Sequence, residues 1–316
     1  MAKSKTGTYA AGSFGGARGK SRRGINRREE TVGTLLACIP LTGFIIFGLI
    51  PLIIALAMAF YDIPGLSFSG AIFTGFGNFS DVLNDPIFYA SLINTVRMGS
   101  SVLISQVFAL IIAYFLSRIT VGKKTFRMIY FVPYVCSVVA ITLMWKYMFN
   151  TNFGVINQML GRTGDDAVDW LGDSRYYTWA VIIMSVWSGM GYGIILYTAA
   201  LTNVNRSLVE AAQIDGASGT NVFFRIVLPS ISPTSFYLLV MGVIGALQAF
   251  AITNVLTVNG GPNGDGITIV FYLYRKIFNY IGQMGQASAS AWILSLIIMF
   301  VTGIQFIVSK FWVKHD

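Results

Sequence analysis

The hydrophobic positions of this chain form six long apolar blocks, and polar residues gather in the segments between them. The blocks cover residues 35–60, 98–117, 130–147, 178–201, 233–256 and 289–309. A helix that crosses a bilayer needs about 20 apolar residues, and lipid offers no hydrogen-bond partners to an irregular backbone. The pattern therefore predicts an all-α transmembrane fold of six spanning helices, in which Pro40, Pro51 and Pro133 mark kinks or tight packing.

The composition agrees with a membrane protein and limits how it is energised. Hydrophobic residues make up 55% of the chain and charged residues 11%, and the mean hydropathy is +0.67, whereas soluble domains carry roughly a quarter charged residues. Lys146 is the one charged residue inside the six blocks. Ion- and voltage-driven carriers keep ionisable residues within the bilayer. The pattern therefore favours a pore that receives its energy from outside the bilayer.

The basic residues are distributed unevenly between the two sides that six spans would separate. Sixteen of the 22 Lys and Arg residues share a side with both termini, together with five of the 13 Asp and Glu residues. Lys and Arg accumulate on the cytoplasmic side of membrane proteins, so both termini are predicted to be cytoplasmic. A nucleic-acid partner is excluded, because these residues are spread over membrane-flanking loops rather than one folded face.

The first 30 residues are basic, rich in Gly, Ser and Ala, and without a hydrophobic period. This composition predicts a disordered cytoplasmic tail that meets anionic lipid headgroups. Residues 15–21 superficially resemble a phosphate-binding loop, but Phe14 occupies the position of its first glycine. We therefore do not expect the tail to bind a nucleotide.

Side chains that could perform catalysis or hold a metal are sparse. His315 is the single histidine and lies at the end of the chain, while Cys38 and Cys136 fall inside predicted spans, as expected of small buried hydrophobes. A nucleophile–histidine site needs a histidine in a folded pocket, and no spacing here suits metal ligands. The sequence therefore predicts no catalytic residue, no metal site and no cofactor bound by this chain.

The polar segment between the fourth and fifth blocks has the pattern of two short helices joined by a turn. Ser207 and Glu210 fit a capping box that starts the first helix. Gly216 is placed to end that helix in the left-handed conformation, and Pro229 breaks the second helix from the fifth span. From this local pattern alone, a docking surface and an ordinary surface hairpin fit equally well.

The same segment resembles the signature loop of the membrane subunits of binding-protein-dependent ABC importers. The matching residues are Glu210-Ala211-Ala212, Asp215-Gly216-Ala217, Ile226, Leu228 and Pro229. The likeness extends from about residue 90 to the C-terminus.

Three further motifs resemble the sugar-permease subfamily, of the carbohydrate-uptake, maltose- and glycerophosphate-permease type. They are Asn259-Gly260-Gly261-Pro262, Tyr272-Leu273-Tyr274 with Ile277-Phe278, and Gly285-Gln286-Ala287-Ser288-Ala289.

This resemblance implies a six-helix type I importer permease with a cytoplasmic coupling helix. The chain would not be catalytic itself, because ATP and Mg would be bound by a separate dimer of ATP-binding cassette subunits. Glu210 would anchor the coupling helix in a cleft of that dimer, and the link to the fifth span would transmit movement that switches access to the pore. The residues implied in ATPase coupling are Glu210, Ala211, Ala212, Asp215, Gly216, Ala217, Leu228 and Pro229.

The resemblance also implies partners, a location and a division of the chain. We expect a second homologous permease beside this one, and an extracellular solute-binding protein facing the loops at 76–89 and 259–265. The assembly would lie in the inner membrane of a bacterial or archaeal cell. We predict a tail over 1–30, a first helix and extracellular loop over 31–90, and a permease core over 91–316 that includes the coupling loop at 202–232.

Substrate contacts are predicted mainly on the fifth span. Gln248 would lie near mid-membrane, where an amide is costly without a partner; a sugar hydroxyl could be that partner, and Phe250 could stack on a sugar. An interhelical hydrogen bond from Gln248, with Gly242 and Gly245 as packing residues, explains the same pattern. The candidate residues are Gln248, Phe250, Thr253, Asn254 and Trp292.

Taken together, the sequence indicates the transmembrane subunit of an ATP-driven importer that passes a sugar or oligosaccharide to the cytoplasm by alternating access. Two alternatives remain: an ion-coupled secondary transporter or channel, and an ABC importer of a non-sugar solute.

Overall fold

A computed structural model describes residues 27–65, 67–119, 122–257, 259–280 and 282–314. The chain divides between Ile53 and Ile54 into two compact units. Most of the predicted tail, together with His315, lies outside the described residues. Helix α1 (Arg27–Phe44) begins inside the segment that we expected to be disordered, so residues 27–30 are helical instead.

The first span contains a widened turn at the second of its prolines. After α1, a π-helical turn (Ile45–Leu49) leads directly into α2 (Ile50–Met58). The Ile50 N–H donates to the carbonyl of Ile45, five residues back, and the next residue, Pro51, has no N–H to continue the ladder. The expected irregularity at Pro51 is therefore a π turn, which proline stabilises by excluding the regular α-helical bond.

Short elements precede the second span. Strands β1 (Tyr61–Asp62) and β2 (Ile72–Phe73) pair antiparallel, with Tyr61 opposite Phe73. The short helix α3 (Gly77–Leu83) follows, and Asp85 then caps the long helix α4 (Pro86–Arg118) by accepting from the Ile87 N–H. Val82 and Phe88 are buried in one cluster with Ile269 and Ala289, so residues before position 90 contribute to the core.

Within the described residues, four helices are long and apolar enough to cross a membrane, and two bent helix pairs raise the number to six if each pair is one span. The long helices are Thr31–Met58, Pro86–Arg118, Ser174–Asn203 (α8) and Met284–Ser309 (α15); α5 (Lys123–Val135) and α6 (Val138–Met148) form the first bent pair. Helices α5 and α6 meet at an angle of 98°, and the break between them begins three residues after Pro133. The prediction of six apolar segments is confirmed when each bent pair is taken as one span. The third segment, however, is a broken helix.

The fifth predicted span is also interrupted. Helix α12 (Ser232–Leu247) ends at Leu247, and a separate helix α13 (Ala251–Leu256) follows. The prediction of one continuous helix over 233–256 is therefore wrong at residues 248–250. The preceding segment, Gly219–Ser230, meets α12 at 62°.

The remaining helices connect these segments. They are α7 (Val155–Met159), a 3₁₀ turn (Gly164–Asp166), α9 (Arg206–Ile214), α10 (Gly219–Val222), a π turn (Phe223–Val227), α11 (Leu228–Ser230), a 3₁₀ turn (Pro262–Gly264) and α14 (Ile269–Phe278).

Close packing of α8 against its neighbours depends on small residues. A Cβ added at Gly191 would lie 2.3 Å from the backbone oxygen of Tyr130 on α5, and one at Gly193 would lie 2.9 Å from the Cβ of Ala109 on α4. Small residues let membrane helices approach closely, which increases dispersion contacts where lipid supplies no hydrophobic drive for association. Gly191 is therefore required by the α5–α8 contact.

Replacing Gly191 by Ala is expected to destabilise the fold. Alanine favours a helix over glycine by about 1 kcal/mol, but the added methyl group must displace a backbone carbonyl, and overpacking costs about 1–3 kcal/mol or more. Thermal unfolding of the purified protein in detergent should show a lower Tm. Gly303→Ala is the matched control, because nothing lies within 4 Å of its added Cβ; an unchanged Tm for Gly191→Ala would contradict the packing argument.

The two cysteines differ from expectation in their exposure. Both Cys38 and Cys136 are free thiols with exposed side chains. They were predicted to be small buried hydrophobes, and that prediction is wrong: neither position is covered by another part of the described chain. Cys136 lies at the break between α5 and α6, where the backbone is extended.

Candidate functional site

The segment that we call the coupling segment, residues 205–231, projects an exposed helix. Helix α9 has no buried residue, and Ile214 at its end is 86% exposed. Glu210 and Ala211 are also exposed. Glu210 and Ile214 lie four residues apart and so share one face of the helix. This surface combines a carboxylate with apolar side chains and suits a protein cleft better than water.

The start of α9 corrects the predicted cap. Asn205 caps the helix, and its side-chain oxygen accepts from the Ser207 N–H at 3.0 Å and from the Ser207 hydroxyl at 2.8 Å. The capping box between Ser207 and Glu210 is therefore wrong: asparagine caps at least as well as serine, and helix formation starts two residues earlier. As a result, Glu210 is not used in capping, and it forms no ion pair with another described residue.

The end of α9 confirms the predicted role of Gly216. Its φ is +81°, in the left-handed region, and the Ala217 N–H donates to the Ala212 carbonyl at 2.9 Å. The Gly216 N–H donates to the Gln213 carbonyl at 3.1 Å. These two bonds form a Schellman motif, which ends the helix beside the exposed Asp215.

The second half of the coupling segment is anchored in the protein. Val222 and Val227 are buried, and the Phe223 ring packs edge-on against Tyr114 of α4 at 4.7 Å between centroids. Leu228 packs against a buried cluster. The bend before α12 falls at Ile231, which is 1% exposed, between Pro229 and Pro233. The exposed helix is therefore joined to two spanning helices, α4 and α12.

Gln248 occupies the break in the fifth span. It follows the last residue of α12, and its side chain is exposed, with no hydrogen bond to another described residue. The interhelical bond considered for Gln248 is therefore not formed in the described chain. Gly242 does pack closely, because an added Cβ would lie 2.5 Å from a Val102 methyl, whereas Gly245 has open space.

The other predicted substrate residues do not converge on one site. Phe250 packs on Phe271 and Tyr274, and Trp292 packs against a separate buried cluster. Thr253 is buried and donates to the Phe250 carbonyl at 3.1 Å, while Asn254 is partly exposed on the same short helix. Of these four, Thr253 lines a cavity between the helices. Phe250, Thr253 and Asn254 were grouped because a continuous fifth helix was assumed, and Trp292 was a further candidate from the sixth block.

A cavity that we call the main cavity, because four membrane-spanning segments enclose it, lies between α4, α5, α8 and α12. Its volume is about 440 Å³, and an adjoining cavity of about 190 Å³ reaches the α12–α13 break. The two share lining residues, namely Ser101, Val102, Ser185 and Gly245. None of the residues that line them is charged. The lining therefore offers hydroxyl, amide and aromatic groups to a solute, and no ionic partner.

Three tyrosines from three helices form one wall of the main cavity. The rings of Tyr134 and Tyr192 stack at 5.1 Å with an 18° angle between their planes. The Tyr192 and Tyr237 hydroxyls are 3.2 Å apart. Gln106 Nε2 is buried and has no hydrogen-bond partner in the described part of the chain. Flat aromatic faces beside hydroxyl and amide groups can bind a molecule with both apolar faces and polar edges.

Sequence reasoning missed this wall, although the residues carry a signal. Helices α4, α8 and α12 each place lining residues three to four positions apart, which keeps them on one face of the helix. The sets are Ser101 with Ser105, Ser185 with Gly189 and Tyr192, and Tyr237 with Met241 and Gly245. Small and hydroxyl-bearing residues on one face also serve helix packing, so the spacing alone does not reveal a cavity.

In the part of the chain that the structure describes, no group of three or more His, Cys, Asp or Glu residues could hold a metal ion.

Comparison with known proteins identifies relatives along most of the chain. The family model described as "Binding-protein-dependent transport system inner membrane component" matches residues 105–314. The probable ABC transporter permease protein YesP of Bacillus subtilis (strain 168) is 32% identical over 304 residues, covering 94% of this chain and 96% of the relative. The lactose transport system permease protein LacF of Rhizobium radiobacter is 30% identical over 295 residues, covering 92% and 98%.

A solved structure shares the architecture. It is the crystal structure of a bacterial alginate ABC transporter in complex with an alginate pentasaccharide-bound periplasmic protein. One of its chains superposes with a TM-score of 0.77 at 25% identity, covering 91% of this chain and 96% of that chain. The type I importer fold expected from the sequence is confirmed.

Proposed function

This chain belongs to the family of binding-protein-dependent transport system inner membrane components, and we propose that within it the chain imports a sugar or oligosaccharide. It is a multi-pass membrane permease. The solute would enter from an extracellular binding protein and leave to the cytoplasm by alternating access. The observation that carries this proposal is the uncharged cavity walled by three tyrosines and several hydroxyl groups.

Sugar chemistry matches that wall. A sugar ring has apolar C–H faces and hydroxyl groups at its edge, and the stacked rings of Tyr134 and Tyr192 offer a flat surface to such a face. The Gln106 amide nitrogen, which lacks a partner, can donate to a hydroxyl. The similarity to a lactose permease, and to an alginate transporter in complex with a saccharide-bound periplasmic protein, supports the same substrate class.

A second permease would complete the path. Tyr134 is 48% exposed, Tyr237 46% and Met241 50% in the single chain, although all three line the main cavity. Their exposure leaves the cavity open at the side, and large apolar groups in that position call for a protein partner. We therefore propose that a homologous permease covers this side, with the exposed Gln248 of the broken fifth span facing the shared path.

Energy would come from a separate ATPase dimer. The coupling segment supports this, because the exposed face of α9 is joined through Phe223 and Ile231 to α4 and α12, which line the main cavity. Movement of α9 would therefore displace the cavity walls. ATP and Mg would be held by the ATPase subunits, and the coupling residues Glu210, Ala211, Ala212, Asp215, Gly216, Ala217, Leu228 and Pro229 would face or support that contact. Both termini would be cytoplasmic, in a bacterial or archaeal inner membrane.

The test is uptake by the assembled transporter. The chain, its partner permease, the ATPase subunits and the binding protein would be reconstituted in proteoliposomes and offered labelled lactose, arabinotriose and digalacturonate. We expect ATP-dependent accumulation of at least one saccharide, and no uptake with a non-hydrolysable ATP analogue.

Three outcomes would contradict the proposal. Uptake driven by a proton or sodium gradient without ATP would indicate a secondary transporter. Uptake of ions would indicate a channel. ATP-driven uptake confined to amino acids or other non-sugars would agree with an ATP-driven importer but would contradict a sugar substrate.

A further inference from the structure

A separate cavity lies away from the tyrosine wall and from the adjoining cavity. It has a volume of about 220 Å³ and shares no lining residue with the main cavity. We call it the outer cavity, because the start of α4 is predicted to be extracellular. Its lining residues are Asp85, Ile87, Ile267, Tyr272, Arg275, Lys276, Tyr280 and Gln283. One water takes about 30 Å³, so the space is several times larger and suits a single small ring.

A hydrogen-bonded network holds one wall of the outer cavity in place. Asp85 accepts from the Tyr272 hydroxyl at 2.7 Å and pairs with Lys276 at 3.2 Å. Lys276 also donates to Gln286 at 3.0 Å. The side chains of the ion pair are 13% and 18% exposed, so it is shielded from water on most sides. The network ties the start of α4 to α14 and α15.

The charge of Lys276 is neutralised within this network. Partial burial by itself raises the pKa of Asp85, but hydrogen bonds from Tyr272, the Ile87 N–H and Lys276 together lower it below its ordinary value. A lowered pKa keeps the carboxylate ionised at neutral pH, and the ion pair is lost only as pH falls through that lowered value. At neutral pH, Asp85 and Lys276 therefore contribute no net charge to the cavity.

Two polar groups of the outer cavity remain without a matching partner. The Arg275 guanidinium donates to the Tyr280 hydroxyl at 2.9 Å and pairs with no carboxylate of the described chain. Gln283 Oε1 is buried and accepts no hydrogen bond from the described residues. A buried acceptor left unsatisfied is unfavourable, so both groups would be stabilised by a ligand that offers an anionic oxygen and a hydroxyl donor.

We propose that the outer cavity binds one carboxylate-bearing sugar unit of the incoming saccharide. This inference rests on the proposed import of saccharides. The Arg275 guanidinium would hold the carboxylate, for which its planar fork is suited, and a ring hydroxyl would donate to Gln283 Oε1. The apolar face of the ring would pack on Ile87 and Ile267. A uronate sugar satisfies all of these groups, whereas a neutral sugar leaves the guanidinium unpaired.

Protection of an introduced thiol tests this site without the binding protein. In the assembled transporter, Cys38 and Cys136 would be replaced by Ser, and Ile87→Cys would place a thiol on the cavity wall. Reaction with a membrane-impermeant maleimide would be timed with digalacturonate, lactose or acetate present. We expect digalacturonate to slow the reaction at a lower concentration than lactose, and acetate to have no effect. Leu83→Cys is the control, because Leu83 is similarly exposed (47% against 48%) and lies outside the cavity lining.

Substitution of the two unpaired groups sharpens the test. Arg275→Gln should raise the half-protecting concentration of digalacturonate about tenfold, because a hydrogen-bonded charge pair is lost, and leave that of lactose nearly unchanged. Gln283→Leu should weaken protection by both sugars. Arg162→Gln removes an exposed guanidinium elsewhere on the predicted extracellular side and should change neither.

The outcomes separate this site from the function on which it rests. Absence of protection by either sugar would overturn the site, and equal protection by digalacturonate and lactose would overturn its preference for a carboxylate. Protection by acetate as strong as that by digalacturonate would reduce it to a simple anion site, contrary to the proposal. ATP-driven uptake of saccharides by the same cysteine-substituted transporter is measured separately, so the importer can be confirmed while the outer cavity fails.

Discussion

Replacing Glu210 by Arg is expected to reduce ATP-driven import by about 100-fold or more. Glu210 lies on the exposed face of α9, forms no ion pair within the described chain and is not used for capping. Its charge is therefore available to a partner. A central charged residue of an interface contributes about 2–4 kcal/mol, and reversal of its sign adds repulsion. Since tenfold corresponds to about 1.4 kcal/mol, a loss of two orders of magnitude follows.

The measurement combines uptake with assembly. Import into proteoliposomes would be compared with the amount of ATPase subunit that co-purifies with the permease. Because α9 has no buried residue, the variant should reach the membrane in normal amounts and lose the ATPase or its coupling. Asp166→Arg makes the same reversal of charge at an exposed residue of the 3₁₀ turn, on the predicted opposite side, and should import normally. Full import by Glu210→Arg, with the ATPase still bound, would rule out the proposed contact.

Replacing Gly245 by Phe is expected to block import by at least about tenfold while the protein stays folded. Gly245 lines both the main cavity and the adjoining one, and an added Cβ meets no atom within 4 Å. The phenyl ring can therefore enter the open space without displacing a neighbouring helix. Phenylalanine also favours a helix more than glycine does, so the loss of import would come from obstruction rather than unfolding.

A matched glycine provides the control for this obstruction. Gly303 on α15 also has nothing within 4 Å of its added Cβ, but it does not line either cavity. Gly303→Phe should leave import and Tm nearly unchanged. Import would be measured as initial uptake rates at saturating binding protein, with membrane abundance determined in parallel. Equal import by Gly245→Phe and the unaltered chain would exclude the tyrosine-walled cavity as the route of the solute.

The helical segments were largely predictable, and so was the end of α9. An apolar run long enough to cross a bilayer is a local property of about 20 consecutive residues. Gly216 was predictable for a similar reason, since the left-handed turn that ends α9 is a property of one residue and its neighbours. The start of α9 was predicted wrongly at Ser207, because asparagine caps at least as well as serine and the helix uses Asn205.

The breaks within the third and fifth segments were not visible in hydropathy. Residues 248–250 are as apolar as their surroundings apart from Gln248, so a sliding apolar pattern runs through them. The structure ends α12 there because other interactions replace the helical bonds. The Thr268 hydroxyl donates to the Ala249 carbonyl at 2.7 Å, and the Phe250 ring packs on Phe271 and Tyr274. These partners lie about 20 residues further along the chain.

The substrate prediction failed to anticipate the tyrosine wall for the same reason. Tyr134, Tyr192 and Tyr237 are separated by about 50 residues each, and each fits a lipid-facing or packing position when its own helix is considered alone. Whether the predicted contacts of Gln248, Phe250, Thr253, Asn254 and Trp292 with substrate occur stays a prediction. Their positions show that they would not act as one group.

By itself, the sequence determined that the chain crosses the membrane several times as helices, and that a polar helical segment lies between the fourth and fifth apolar blocks. These features depend on hydrophobicity, capping and turn geometry within a few neighbouring residues. The tertiary structure alone decided which polar side chains share a cavity, where the broken spans bend and which charges remain unpaired. Those features arise from contacts between residues far apart in the chain, which helix packing brings together and local pattern does not encode.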